Sequence, residues 1–204
     1  MIKNIIFDYG NIIVKCNINE IVKKYTNDPE VIKFIEEKVV DSEEWVKGWL
    51  IDLGEITLSE AASRINKRTN YIHEDLVNRF LLDVPDNLKY NDNVLDVVKD
   101  LKNKGYKVYV LSNTSKETFA NFKADLEALF DGLVLSYKIH EIKPNKPIYE
   151  YLLKTYNLNP NECLFLDDRL DNIKTANELG IHGRKVNEDD VEDIKAVLKE
   201  YDIL

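Results

Sequence analysis

A chain of 204 residues with 28 lysines and arginines against 37 aspartates and glutamates carries a formal net charge of −9, which leaves no basic face for a phosphate backbone and excludes nucleic-acid binding. At 44% hydrophobic and 32% charged residues it suits a globular fold with one good core or a core carrying an insert, and no apolar run approaches the roughly 18 residues of a membrane span. Cys16 and Cys163 are too few and too far apart for a disulfide framework or a metal knuckle, and the first residues lack a secretion signal, which predicts a cytoplasmic protein.

The chain opens on KNIIFDYGNIIV, residues 3–14, an Ile-rich run that ends on Asp8, turns through Gly10 and resumes as a second apolar run. Such continuity marks a strand buried on both faces of a parallel sheet. From there to about Asp86 the periodicity is helical. Asn19 is placed to cap a helix carrying Ile21, Val22 and Tyr25, and Pro29 fits the first turn of a second. SEEWVKGWLIDL, from Ser42, predicts a third helix with acids in its first turn, closed by Gly54. Thr57 and Glu60 form a capping-box signature ahead of Ala61, Ala62 and Ile65, and a further helix is expected near His73 to Leu82.

From Asn91 helix and strand alternate. Val94, Leu95, Val98 and Leu101 share a helix face that stops at Gly105, and YKVYVLSNT reads as the second buried strand. Ser115 caps a helix through Phe119, Phe122 and Leu126, and LVLS, residues 133–136, is a short third strand. Pro144 and Pro147 frame the start of a helix through Ile148, Leu152 and Leu153, and Asn159–Pro160 makes a turn. CLFLDD is a fourth strand ending on two acids, Asp171 or Asn172 opens a helix closed by Gly180, and HGRKV is a fifth strand. An amphipathic helix with Val191, Ile194, Val197 and Leu198 follows. This order predicts an α/β fold with a doubly wound, mostly parallel sheet. Residues 1–16 and 87–204 would form the core and residues 17–86 an inserted, all-helical domain.

Four features fall just past strand ends: Asp8, Ser112–Asn113, Lys143 and Asp167–Asp168. Open α/β sheets bind ligands at the carboxyl ends of their strands. Taken singly, Asp8 starts a turn as readily as it does chemistry, Ser112 reads as a turn hydroxyl, Lys143 as a solvated charge beside a proline, and the acid pair as a loop seeking the next helix N-terminus. Together they read differently. Three acids at neighbouring strand ends repel unless a cation sits between them, and a small set of carboxylates is what Mg²⁺ accepts while keeping waters and phosphate oxygens. A lysine and a hydroxyl at the same rim supply a charge and a hydrogen bond for that phosphate.

In this order FDYGN, LSNTS, KPNKPIY and FLDDRLDN resemble the haloacid dehalogenase superfamily of hydrolases. The likeness covers roughly residues 1–16 and 90–186, and the helical insert stands where that superfamily's commonest cap domain belongs. FDxGN, GEIT and LSNT are similar, more narrowly, to the branch of bacterial sugar-phosphate phosphatases that includes the glucose-1-phosphate type. The resemblance implies a Rossmannoid core and Asp8 as a nucleophile that forms an aspartyl-phosphate. It implies Ser112 and Lys143 on the transferring phosphoryl group, with Gly10, Asn11 and Asn113 beside the substrate. It also implies a Mg²⁺ held by Asp8, Asp168 and the Gly10 carbonyl, with Asp167 orienting a bound water. The expected substrate is a small phosphorylated metabolite such as a sugar phosphate. Phosphoryl transfer needs an in-line attacker and neutralised equatorial oxygens, which suits these residue types.

Gly10 departs from the pattern, since most phosphatases of the superfamily have an aspartate there as general acid and base. A positioned acid is worth about 10² to 10⁴ in rate. Its absence predicts a good leaving group, an anomeric or acyl phosphate, or a water in its place. Two other functions stay open: a metal-independent 2-haloacid dehalogenase, which the Asp167–Asp168 pair disfavours, and a catalytically weak protein that binds a phosphometabolite or a partner. His140 reads as a surface or loop histidine. Trp45 and Trp49, four apart, would share a helix face as core packing or as a platform for a sugar ring, and Arg64, Lys67 and Arg68 would make a solvated helix face or a small anion-facing cluster.

Overall fold

The computed structural model describes residues 1–188 and 190–204. The chain begins with β1 (Asn4–Phe7) and β2 (Val14–Lys15), then α1 (Ile18–Lys23), α2 (Pro29–Phe34), a π-helical turn (Ile35–Val40), α3 (Leu58–Arg68) and α4 (Glu74–Asn87). It continues through β3 (Lys89–Tyr90), α5 (Asp92–Asn103), β4 (Lys107–Ser112), α6 (Lys116–Ala120), α7 (Lys123–Leu129), β5 (Gly132–Leu135) and α8 (Ser136–Ile139). The last elements are α9 (Lys146–Thr155), β6 (Cys163–Asp167), α10 (Leu170–Glu178), β7 (His182–Lys185) and α11 (Val191–Glu200). No helix among the described residues is long and apolar enough to cross a membrane.

Five strands form one sheet in the order β5-β4-β1-β6-β7, every neighbouring pair parallel. The strands read as unbroken apolar runs because both faces are covered. Ile5, Phe7, Val108, Val110, Leu164 and Leu166 pack on one side with Val98 and Leu101 of α5 and Leu198 of α11. Ile6, Tyr109, Leu111 and Phe165 point the other way, onto α9 and α10 through Ile148, Leu152 and Ala176. The central β1 brings the site together. Phe7 lies level with Val110 of β4 and Leu166 of β6, so Asp8, Ser112 and Asp167 emerge at the same edge, at the point where the strand order reverses.

The helical segment between β2 and β3 has its own apolar cluster, with Ile35, Val39, Ala61, Ile65, Phe80 and Val84 at its centre. Thr57 caps α3 in the expected capping box with Glu60. Other details differ from the sequence expectations. Asn17, not Asn19, caps α1 by accepting from the Glu20 N–H. The second apolar run is a turn over Ile12 and Ile13 leading into β2, which pairs antiparallel with β3. No helix starts at Ser42: after the π-helical turn, residues 41–54 form successive turns, with Trp49 at φ 59°. The buried set there mixes Ile51 with the polar Ser42, Glu44 and Asp52, which hydrophobic periodicity does not anticipate. The Phe119–Leu126 stretch breaks into α6 and α7, Ser136 starts α8 rather than ending β5, α4 runs past Leu82 to Asn87, and α10 begins at Leu170.

Candidate active site

Lys143 is the hub of the strand-end cluster. Its side chain is 1% exposed, and its Nζ lies 2.7 Å from Asp8 Oδ1 and 2.7 Å from Asp167 Oδ2. A buried ammonium needs such partners, and the face of Phe165, 5.4 Å away, takes a further side of it. The loop carrying it is clamped by Asn113, whose amide donates to the Lys143 carbonyl and accepts the Lys143 N–H, both at 2.8 Å. Asn113, expected beside the substrate, thus spends its side chain on the lysine loop. The partner on the other side is Asn172, at the start of α10, which donates to both oxygens of Asp167 at 2.9 and 3.0 Å. Sequence reasoning used Asn172 only as a helix start; its place five residues after Asp167 was the available signal.

Asp8, Asp167 and Asp168 each bring a carboxylate oxygen within 4.8 Å of the others. Asp8 is fixed by the Tyr9 N–H, which donates to its Oδ1 at 2.6 Å. Burial pushes the Asp8 carboxyl up to about 7, with Asp167 and Asp168 adding repulsion that Lys143 only partly offsets. Asp168 is pushed up to about 6 by burial, then by Asp167 and Glu188. Burial alone would lower the Lys143 ammonium, but the charges of Asp167 and Asp8 hold its pKa above the ordinary value. One cation therefore faces three crowded acids. Ser112, at the end of β4, is fully buried and its Oγ has no hydrogen-bond partner among the described residues.

The turn after Asp8 is shaped by Asn11 at φ 58°, whose N–H donates to the Val14 carbonyl at 2.8 Å. A Cβ built on Gly10 would meet no atom within 4 Å. Trp45 and Trp49 do not share a face. Trp45 packs on Phe80 inside the helical segment, while Trp49 lies over the Arg169 guanidinium at 5.5 Å, just beyond the acid pair. Arg68 pairs with the buried Glu44 at 2.9 Å, whereas Arg64 and Lys67 are exposed. His140 is exposed, and its Nδ1 lies 2.8 Å from the Leu53 carbonyl of the helical segment.

The chain matches the family model of haloacid dehalogenase-like hydrolases over residues 2–180. It is similar to a D-ribitol-5-phosphate phosphatase of Bacteroides thetaiotaomicron, 27% identical over 204 residues that take in 88% of this chain and 89% of the relative. Its fold is similar to that of a HAD family enzyme of B. thetaiotaomicron solved with magnesium and inorganic phosphate, at a TM-score of 0.72 and 24% identity over 92% of this chain and 96% of that one. A predicted HAD-like family hydrolase from Porphyromonas gingivalis superposes with a TM-score of 0.76 and 23% identity over 98% of each chain. The matched span takes in Asp8, Ser112, Lys143 and the Asp167–Asp168 pair alike, and the chain belongs to the haloacid dehalogenase-like hydrolases.

Proposed function

We propose that this hydrolase is a Mg²⁺-dependent phosphatase of a small sugar or polyol phosphate, working through an aspartyl-phosphate on Asp8. The observation that carries this reading is the buried lysine bridging Asp8 and Asp167 beside an acid cluster it cannot neutralise. The donor set fits Mg²⁺: hard carboxylate oxygens of Asp8, Asp167 and Asp168 converge there, and the carboxyls of Asp8 and Asp168 are raised first by burial and then by repulsion from their acidic neighbours, which a cation would relieve. Asp8, Asp168 and the Gly10 carbonyl would hold the ion, with Asp167 beside it. When bound, Mg²⁺ supplies positive charge that keeps Asp8 ionised and offsets charge on the phosphoryl oxygens.

The remaining steps belong to side chains. An Asp8 oxygen attacks phosphorus and the bond to the leaving oxygen breaks. Lys143 gives charge to an equatorial oxygen, and the partnerless Ser112 hydroxyl gives a hydrogen bond to another. Asn113 and Asn172 keep Lys143 and Asp167 aimed. Water then cleaves the aspartyl-phosphate. We read residues 17–86 as the cap that closes over the substrate, and the D-ribitol-5-phosphate phosphatase of B. thetaiotaomicron supports an alkyl phosphate of sugar or polyol type. A metal-independent dehalogenase would set its carboxylate substrate and departing halide against Asp167 and Asp168, which disfavours it.

The test is phosphate release from a panel of sugar and polyol phosphates with Mg²⁺, run beside Asp8→Asn. Release that depends on Mg²⁺ and disappears in that variant is expected. No release above the variant on any ester would sink the phosphatase, and halide release from a 2-haloacid without metal would replace it with the dehalogenase.

A further inference from the structure

A cavity of about 110 Å³ is lined by residues that directly follow two members of the cluster in the chain, Tyr9 and Gly10 after Asp8 and Asn113 and Thr114 after Ser112, and by Cys16 and Asp52. Gly10 leaves this side of the site open, since a Cβ there would meet nothing within 4 Å. Asp52 comes from the helical segment and is 7% exposed. Its backbone carbonyl is tied to the core by the Ser136 hydroxyl at 2.5 Å, which fixes where the residue stands. Its carboxyl makes no hydrogen bond or ion pair among the described residues. The carboxyl keeps a small exposure where it lines the cavity, so it is free to meet a bound molecule there.

The other titratable groups lining the cavity are not placed to exchange a proton near neutral pH. Tyr9 donates its phenol to the Thr118 carbonyl at 3.2 Å, and the Cys16 thiol is pushed up to about 11 by burial and by Asp52. No lysine, arginine or histidine lines the cavity among the described residues. Burial pushes the Asp52 carboxyl up to about 7, with no cation to bring it down. This places it where a general acid works best at neutral pH.

We propose that Asp52, supplied by the helical segment, is the proton donor and acceptor of the reaction and takes the part that a side chain at position 10 would otherwise fill. The proposal rests on the phosphatase reading above. As the ester's phosphorus–oxygen bond breaks, the departing alkoxide takes the Asp52 proton and leaves as the alcohol. Water then attacks the aspartyl-phosphate and gives its proton to the Asp52 carboxylate, so phosphate leaves and both acids return to their starting states. Asp52 also makes a poor leaving group acceptable without an acid at Gly10.

The test compares Asp52→Asn with the full-length wild-type protein in Mg²⁺ on two substrates, glycerol 3-phosphate, whose alkoxide needs a proton, and acetyl phosphate, whose carboxylate does not. In single-turnover experiments, release of glycerol, which precedes hydrolysis of the aspartyl-phosphate, is expected to slow by about 10² to 10⁴. Release of acetate should slow at least about tenfold less, and Gly10→Asp in the same chain should recover part of the loss on glycerol release. Equal slowing of the two release steps, or none for glycerol, would overturn the assignment. A wild type that hydrolyses neither, with Asp8→Asn no different, would overturn the phosphatase and Asp52's role with it. Carbon-13 NMR titration of the wild-type protein reads the group without the variant: a carboxyl absent from Asp52→Asn should titrate near neutrality, and an Asp52 titrating near 4 would also overturn the proposal.

Discussion

Lys143 and Asp167 form an ion pair sealed from water, their side chains 1% and 0% exposed and their charged atoms 2.7 Å apart. Such a pair adds little over a well-packed apolar one, but removing one partner strands the other. Lys143→Met should therefore cost about 3–5 kcal/mol of unfolding free energy by urea denaturation. Phosphatase turnover should fall by at least about 10²-fold. Stability unchanged in this variant would mean that the carboxylates find compensation elsewhere.

The acid cluster makes metal removal informative. Turnover should vanish in excess chelator and return with Mg²⁺. In calorimetry Mg²⁺ at about 100 times its dissociation constant should add about 2.7 kcal/mol to the wild-type protein. Asp168→Asn should lose most of that increment. An equal Mg²⁺ response in both proteins would place the ion somewhere else.

Stability in the metal-free state should also depend on pH through Asp52. Its folded pKa, about 7, lies above the ordinary aspartate value of 3.8, so between these limits the folded protein binds the proton that the unfolded chain releases. The sign follows: the contribution is fully present below about pH 4 and is lost as pH rises through 7. In urea titrations Asp52→Asn should flatten the fall in stability between these limits, by at most about 1.4 kcal/mol per pH unit. A parallel pH profile in the variant would show that the carboxyl titrates normally.

Ser136 joins the helical segment to the sheet edge. Its hydroxyl donates to the Asp52 carbonyl at 2.5 Å, with the Thr114 carbonyl at 3.1 Å as an alternative, and accepts the Thr114 N–H at 2.9 Å. Ser136→Ala leaves these buried groups without a partner, at about 1–3 kcal/mol. Because the same contact sets the position of residue 52, kcat on an alkyl phosphate should fall along with stability. A loss of stability with unchanged steady-state kinetics would mean that the 52–58 loop is held by its other contacts.

The parallel strands were legible because residues such as Ile5–Phe7 and Leu164–Leu166 are covered on both faces, so local composition reports the tertiary surroundings directly. Asp8, Ser112, Lys143 and the acid pair could be read as one cluster because strand ends in such sheets meet at one edge. Residues 42–53 resisted the same reading. Glu44 is buried there by Arg68, far along the chain, and the backbone bends so closely that a Cβ on Gly48 would lie 2.0 Å from the Glu43 carbonyl oxygen. Periodicity carries no trace of either contact. The shared face inferred for Trp45 and Trp49 fell with that helix, and Asp52 looked like one more helical acid. Asn113 and Asn172 were visible as residues, while their partners, Lys143 and Asp167, were set by the meeting of separate strands.

The short β2–β3 ribbon carries the chain out of the core and back on adjacent antiparallel strands, about 5 Å apart. The five-stranded sheet takes no strand from the excursion between them. A tight loop joining Lys15 to Lys89 would bridge that gap with little closure entropy. The intervening helices are thus a cassette, replaceable by another of different length or shape while Asp8, Ser112, Lys143 and Asp167 stay where the sheet sets them. If Asp52 works as proposed, such an exchange would carry away the proton donor, and the incoming segment would have to supply another.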